Sequence, residues 1–218
     1  KLNMRKKFLK SITEERENRI ENKKKNNHKL LKFWNNFVNI KKNKKSLNLK
    51  IAFEMAKNFK YSHGNSSDND YFFHPLRIAN MSLFFSKKEN DLLVLALLHN
   101  CLETTKVNSS FIKNLFGNQI FQEIKILTVN RKKQWNKKYK QVYYNKINNF
   151  SKNTKIIKIL DKLDNLFVLN NNPDYEVKKK YLNEIKKYIL PMIRKNTPFL
   201  NNYFNNLIKN THLLMNKN

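Results

Sequence analysis

The apolar run Leu92 to Leu98 carries no polar position, and it stops abruptly on His99 and Asn100. A helix with no polar face has to be buried on all sides, so this run predicts the central helix of a core. Around it, apolar residues recur at spacings of three and four among polar ones. This periodicity predicts helices over Ile51 to Tyr61, from Pro75 to about Ser86, from Ser109 or Ser110 to Phe116, over Gln119 to Leu127, and over Thr154 to Leu169. Pro75 suits a first helical turn, Asn90 or Asp91 suits the N-cap of the buried helix, which is expected to run to Thr104, Ser109 and Ser110 suit the next N-cap, and Gly117 suits a helix stop. Two further helices are expected, one from about 175 with a break or kink near Pro191 and one over about 198 to 216. Strand-like alternation is lacking, so the expected fold is all-α.

The first 46 residues differ in pattern from the rest of the chain. Phe8, Leu9 and Ile12, then Leu30, Leu31, Phe33, Trp34, Phe37 and Val38, recur at helical spacing in a strongly basic background. Two helices are expected, with a break at Lys23 to Asn27. Such an extension either docks its apolar stripe on the main domain or reaches into a partner. The expected organisation is a basic helical extension over 1–46, a helical domain over 47–205, and a helix end and tail over 206–218.

Composition narrows the class. A chain of 218 residues, 40% of them hydrophobic, can bury one core. Lys and Arg number 45 against 16 Asp and Glu, a formal charge of +29 that points to a polyanionic partner. Arginine occurs only at Arg5, Arg16, Arg19, Arg77, Arg131 and Arg194, so the basic surface is mostly lysine, which suits backbone phosphates better than base edges. The single Cys101 excludes an intramolecular disulfide and fits a cytosolic or organellar compartment. A run of eighteen apolar residues is lacking, so no transmembrane segment is expected. The chain begins at Lys1, which fits either a removed targeting segment or a shortened chain.

The chemistry-bearing residues are few. Taken singly, His74 before Pro75 can be a polar residue at a helix start, His99 a satisfied core histidine, and Asp161 a helix-surface partner of Lys158 or Lys162. Cys101 reads as a small buried hydrophobe, since no base stands near it at helical spacing. Taken in order, they form a pattern. Tyr71-Phe72-Phe73-His74-Pro75 resembles the tyrosine-x-x-histidine-proline opening of the RelA/SpoT-type alarmone hydrolases of the HD-domain phosphohydrolase superfamily. Leu95 to Thr105 resembles their alanine-leucine-leucine-histidine-aspartate block, Leu115-Phe116-Gly117 and Leu127-Thr128 fall at two further landmarks, and Ile157 to Leu166 resembles the segment with the distant aspartate. The resemblance spans roughly 50 to 170.

It implies a helical HD domain with a manganese or other divalent metal held by His74, His99, Asn100 and Asp161, and a pyrophosphohydrolase acting on guanosine 3′-pyrophosphates. The departures bear on that activity. Asn100 stands where the family has a ligand aspartate, which removes a full charge from a dication site. Glu103 matches the catalytic glutamate, but Thr104 replaces its partner aspartate and cannot act as a carboxylate base. The loop His63 to Asp70 is short and lacks the purine-stacking arginine. Lys162 and Asp164 stand where the family has arginine and histidine. The metal site therefore reads as vestigial or weak, with no cofactor expected unless it is functional.

Arg131, Lys132, Lys133, Lys137, Lys138, Lys140 and Lys146 are interleaved with Trp135, Tyr139 and Tyr143, a mixture that can hold phosphates and stack on unpaired bases. The same aromatics at spacings of four can instead pack on the core. Lys41, Lys42, Lys44 and Lys45 add a second basic cluster, and Lys178 to Lys180 a third. The expectation is a catalytically degenerate HD-domain protein that binds RNA, such as rRNA, beside neighbouring subunits of a ribonucleoprotein such as a mitochondrial ribosome in an organellar matrix. The alternative is an active alarmone hydrolase with a guanosine nucleotide substrate, in the cytoplasm or an organelle. A third reading, a basic amphipathic helix on anionic lipid, is weakened by lysines spread around the N-terminal helix.

Overall fold

A computed structural model describes residues 10–40, 44–62, 68–86 and 90–216. Every regular element among them is helical. In chain order they are α1 (Ile12–Arg19), α2 (Lys23–Ile40), α3 (Lys44–Asn58), α4 (Asp68–Tyr71), α5 (Phe73–Ser82), α6 (Asn90–Leu98), α7 (Cys101–Thr104), α8 (Ser109–Leu127), α9 (Lys137–Asn149), α10 (Lys152–Val168), α11 (Tyr175–Glu184), α12 (Leu190–Asn196) and α13 (Asn201–Met215). They form two compact units, Asn27–Ile157 and Lys1–Asn26 with Lys158–Asn218. Phe8 and Leu9, which open the expected first helix, lie outside the described residues.

In the unit Asn27–Ile157, α6 is the core, and each residue from Leu92 to Leu98 is buried. Helices α3, α5 and α8 pack against it, which is what a helix apolar all round requires. Burying one such leucine is worth roughly 1.5–3 kcal/mol, so a short helix of this composition contributes heavily to the core. Trp34 of α2 lies parallel to Phe53 of α3 at 6.3 Å, and Phe53 meets Phe72 edge-on at 6.0 Å. Gly117 interrupts α8 with φ +84° and ψ 168°, a backbone conformation that side-chain-bearing residues rarely adopt. The expected stop is therefore a kink, and the helix resumes to Leu127. The N-cap of α8 is Asn108, whose side chain accepts from Ser110 N at 2.8 Å, and not Ser109 or Ser110. An Asx oxygen reaching two residues forward captures an amide that a serine inside the first turn cannot reach.

In the other unit, α1 starts at Ser11, whose hydroxyl accepts from Glu14 N. The break after α1 lies at Ile20 to Asn22, ahead of the expected Lys23 to Asn27, which is helical. Asn26 Nδ2 donates to Asn18 Oδ1 at 2.8 Å across that turn, so asparagine side chains close it without glycine or proline. Arg16 is buried and donates to Asn210 Oδ1 at 2.7 Å, to Thr211 Oγ1 at 2.7 Å and to the Phe167 carbonyl. Near Pro191 the chain passes from α11 through a π-helical turn, Ile185–Ile189, into α12. The wider turn absorbs the hydrogen bond that proline cannot donate, so the helix bends its register there and does not end.

Candidate functional site

His74 is the second residue of α5, one turn after Tyr71. His99 follows the last turn of α6. Both are buried, and their rings meet edge-on with centroids 5.4 Å apart. Nδ1 of His99 lies 2.8 Å from the carbonyl of Ala96, so Nδ1 carries the proton and Nε2 the lone pair, the tautomer that a metal-ligating imidazole uses. Tyr71 sits beside this pair, its ring 5.7 Å from that of His74.

Asn100 precedes α7 with φ −116° and ψ 6° and makes no side-chain cap. Its amide Nδ2 donates to the Tyr71 hydroxyl at 2.8 Å, while Oδ1 is buried without a hydrogen-bond partner among the described residues. Unpaired buried carbonyl oxygens are uncommon, because each forfeits its hydration with nothing in return.

Asp161 lies on α10, buried, accepting from Lys158 Nζ at 2.9 Å and from Asn165 Nδ2 at 2.8 Å. Other polar groups share this interior. Lys162 Nζ lies 2.8 Å from Glu184 Oε1 and 4.2 Å from the centre of the Tyr181 ring, and burial next to Asp161 and Glu184 holds the Tyr181 phenol well above its ordinary pKa. His74 and His99, in the unit Asn27–Ile157, are metal-competent imidazoles, and Asp161, in the other unit, is a metal-competent carboxylate. A pair of imidazoles with an oxygen donor beside them suits a divalent cation. The unpaired Oδ1 of Asn100, adjoining His99, is such an oxygen donor with lone pairs to give, so the residues present fit such an ion.

The positions expected to carry acid-base chemistry are differently placed. Glu103, on α7, accepts from Val129 N at 2.9 Å through Oε2, and Oε1 is paired with Arg131. Thr104 is buried and its hydroxyl donates to the Asn100 carbonyl at 2.8 Å. Asp164 is fully buried and takes Arg19 Nε at 3.2 Å, and the Arg19 guanidinium stacks 4.3 Å over the Phe167 ring. The Cys101 thiol is buried and pushed up to about 12, chiefly by desolvation, which leaves it no nucleophilic character at neutral pH.

Among the lysine-rich positions, Lys132, Lys133, Lys137 and Lys138 are exposed. Arg131 opens the same stretch but is turned to Glu103. Trp135 is half-buried with Lys140 Nζ 4.3 Å from its ring centre. Tyr139 stacks on the buried Tyr143 at 6.0 Å, and its hydroxyl accepts from Asn130 N. The aromatics of this stretch thus pack within the unit, and the lysines face out. In the third cluster Lys179 and Lys180 are exposed, but Lys178 is buried. Lys41 and Lys42 lie outside the described residues, and Lys44 and Lys45 open α3 with side chains that also lie outside them. Tyr71 belongs to the histidine-proline motif, yet the motif alone gives it no part in the site; its spacing of three before His74 is the available signal. The pairing of Arg131 with Glu103 leaves no local signal in the sequence.

No family model and no curated protein matches this sequence. Among solved structures, the chain is similar to a metazoan ortholog of SpoT that hydrolyzes ppGpp, at 19% identity over 75% of this chain and 94% of that one, with a TM-score of 0.60. The fold is that of the HD-domain, RelA/SpoT-like helical proteins.

Proposed function

We propose that this HD-fold protein is a polyanion-binding component of a ribonucleoprotein, with RNA as its partner, and that its ancestral hydrolytic site binds without turning over. The observation that carries the loss of turnover is the pairing of Glu103 with Arg131 and Val129 N. Glu103 is the acid-base group that the family pattern leaves to this chain, and here both of its oxygens are occupied by protein donors, away from any substrate proton. Thr104 supplies no second carboxylate. The formal charge of +29 and the exposed Lys132, Lys133, Lys137 and Lys138 support the polyanion reading. Lysine ammoniums would neutralise backbone phosphates while reading little sequence, as a subunit held on structured RNA requires. An organellar ribosome is the assembly proposed.

A second reading is favoured by the donor set. His74, His99 and Asn100 Oδ1 would hold a divalent cation, which when bound supplies Lewis-acid polarisation of phosphate oxygens and water. His99 is kept in the ligating tautomer by Ala96, and Asn100 presents oxygen because Tyr71 holds its nitrogen. On this reading the chain is a metal-dependent hydrolase of guanosine 3′-pyrophosphates like its structural neighbour.

A salt titration of binding to structured RNA, run beside a pyrophosphate-release assay with added manganese, tests the two. Micromolar or tighter RNA binding that falls steeply with salt, with no pyrophosphate released, is expected. Salt-indifferent or absent RNA binding overturns the first reading, and multiple-turnover release supports the second.

A further inference from the structure

We propose that Asn100, anchored by Tyr71, makes the metal site of this chain selective for late, imidazole-preferring dications such as zinc and closes it to manganese. This inference rests on the reading that His74, His99 and their partners hold a metal.

An aspartate at position 100 would offer two anionic oxygens, and it could only accept from a tyrosine hydroxyl. Asparagine offers one neutral oxygen and two N–H donors, and its orientation has to be fixed if that oxygen is to face the site. Tyr71 fixes it: Nδ2 donates to the phenol oxygen at 2.8 Å, and the opposite oxygen is left buried without a hydrogen bond. The Tyr71 ring is itself held between the rings of Tyr61 at 5.0 Å and His74 at 5.7 Å, so the anchor is stiff. Reversal of the amide would bury two donors in place of one acceptor.

The resulting donor set within the unit Asn27–Ile157 is two imidazoles and one amide oxygen. Manganese and magnesium bind chiefly through anionic and water oxygens and gain little from imidazole, so losing a carboxylate removes a large share of their binding. Zinc gains most from the two imidazoles and tolerates a neutral oxygen donor beside them. The same substitution of aspartate by asparagine therefore costs the two ions unequally. The exchange is a change of metal class at this chain's site.

The full-length protein, stripped of metal by chelator and checked for helical content, is titrated with zinc alone and with manganese alone, reading the stoichiometry and affinity of bound metal. Close to one equivalent of zinc at micromolar affinity or better, and no manganese saturation below the millimolar range, is expected. Asn100→Asp is expected to raise manganese affinity at least about 10-fold more than zinc affinity. Tyr71→Phe is expected to weaken zinc several-fold in the parent chain and to have a smaller effect in the Asn100→Asp background, because a carboxylate needs no orientation; a purely structural role would weaken both alike. Equal gains for both metals in Asn100→Asp, or manganese bound as well as zinc by the parent, overturn the selectivity and leave the metal site standing. Failure of the folded parent and of Asn100→Asp to bind either ion overturns the metal-binding reading itself.

Discussion

The guanidinium of Arg131 closes on the carboxylate of Glu103, joining the first residue of the lysine-rich stretch to the short helix that follows His99 and Asn100. The arginine side chain is itself exposed, but its charge is engaged by the carboxylate. Its neighbours Lys132 and Lys133 are exposed as well.

Phosphate contact should therefore divide along this stretch. Each of Lys132→Gln, Lys133→Gln, Lys137→Gln and Lys138→Gln should weaken RNA binding uniformly across sequences and flatten the dependence of log affinity on log salt by about 0.7 for a single-stranded contact. Arg131→Gln should leave that slope within error of the parent. Fluorescence anisotropy across a salt series measures both, and a slope change for Arg131→Gln as large as for the lysines would contradict the engagement of its charge by Glu103.

Arg16 should matter to folding and not to RNA. Removing its side chain in Arg16→Ala leaves the Phe167 carbonyl, Asn210 Oδ1 and Thr211 Oγ1 each short of a donor. A loss of roughly 2–4 kcal/mol is expected, since buried groups stripped of a charged partner keep their desolvation cost. Chemical denaturation followed by circular dichroism reads it directly, with RNA affinity at low salt unchanged for the folded fraction.

Glu123 gives the stability a pH dependence. It is buried on α8, neither carboxylate oxygen has a hydrogen bond of good geometry, and desolvation raises its pKa, helped by Asp91 and partly opposed by Ser151 and Gln119. A carboxyl raised in the folded state is protonated there while the unfolded chain has already ionised. Its contribution is fully present below the unfolded value of about 4.3 and is lost as pH rises through the folded value. Glu123→Gln should remove this slope and match or exceed the parent's stability at pH 7; an unchanged slope would mean that the carboxyl is not the source.

Two local substitutions or modifications have expected outcomes of their own. Gly117→Ala meets no atom within 4 Å, so its whole cost is backbone strain at φ +84°, about 1–3 kcal/mol in the melting transition. Cys101, buried with its thiol raised to about 12, should resist maleimide at pH 7.5 in the folded protein and react on unfolding.

The all-helical class, the buried α6 and the interruption at Gly117 were legible in the chain because each depends on residues within a few positions of one another. A seven-residue stretch with no polar member has only one way to avoid water, and a glycine is the residue that tolerates the backbone at 117. Helix caps were partly hidden, since Asn108, Ser109 and Ser110 can all cap and the path of the chain selects one. What the sequence left open are pairings of distant side chains, such as Arg19 with Asp164, 145 residues apart, Glu103 with the Val129 amide, 26 apart, and Tyr71 with Asn100, 29 apart. Periodicity states which face of a helix is buried, but the partner that a buried charge or amide finds depends on which helices meet and at what height. That height is set by the packing of the whole core, so the roles of Arg131, Arg19 and Tyr71 belong to the tertiary structure alone.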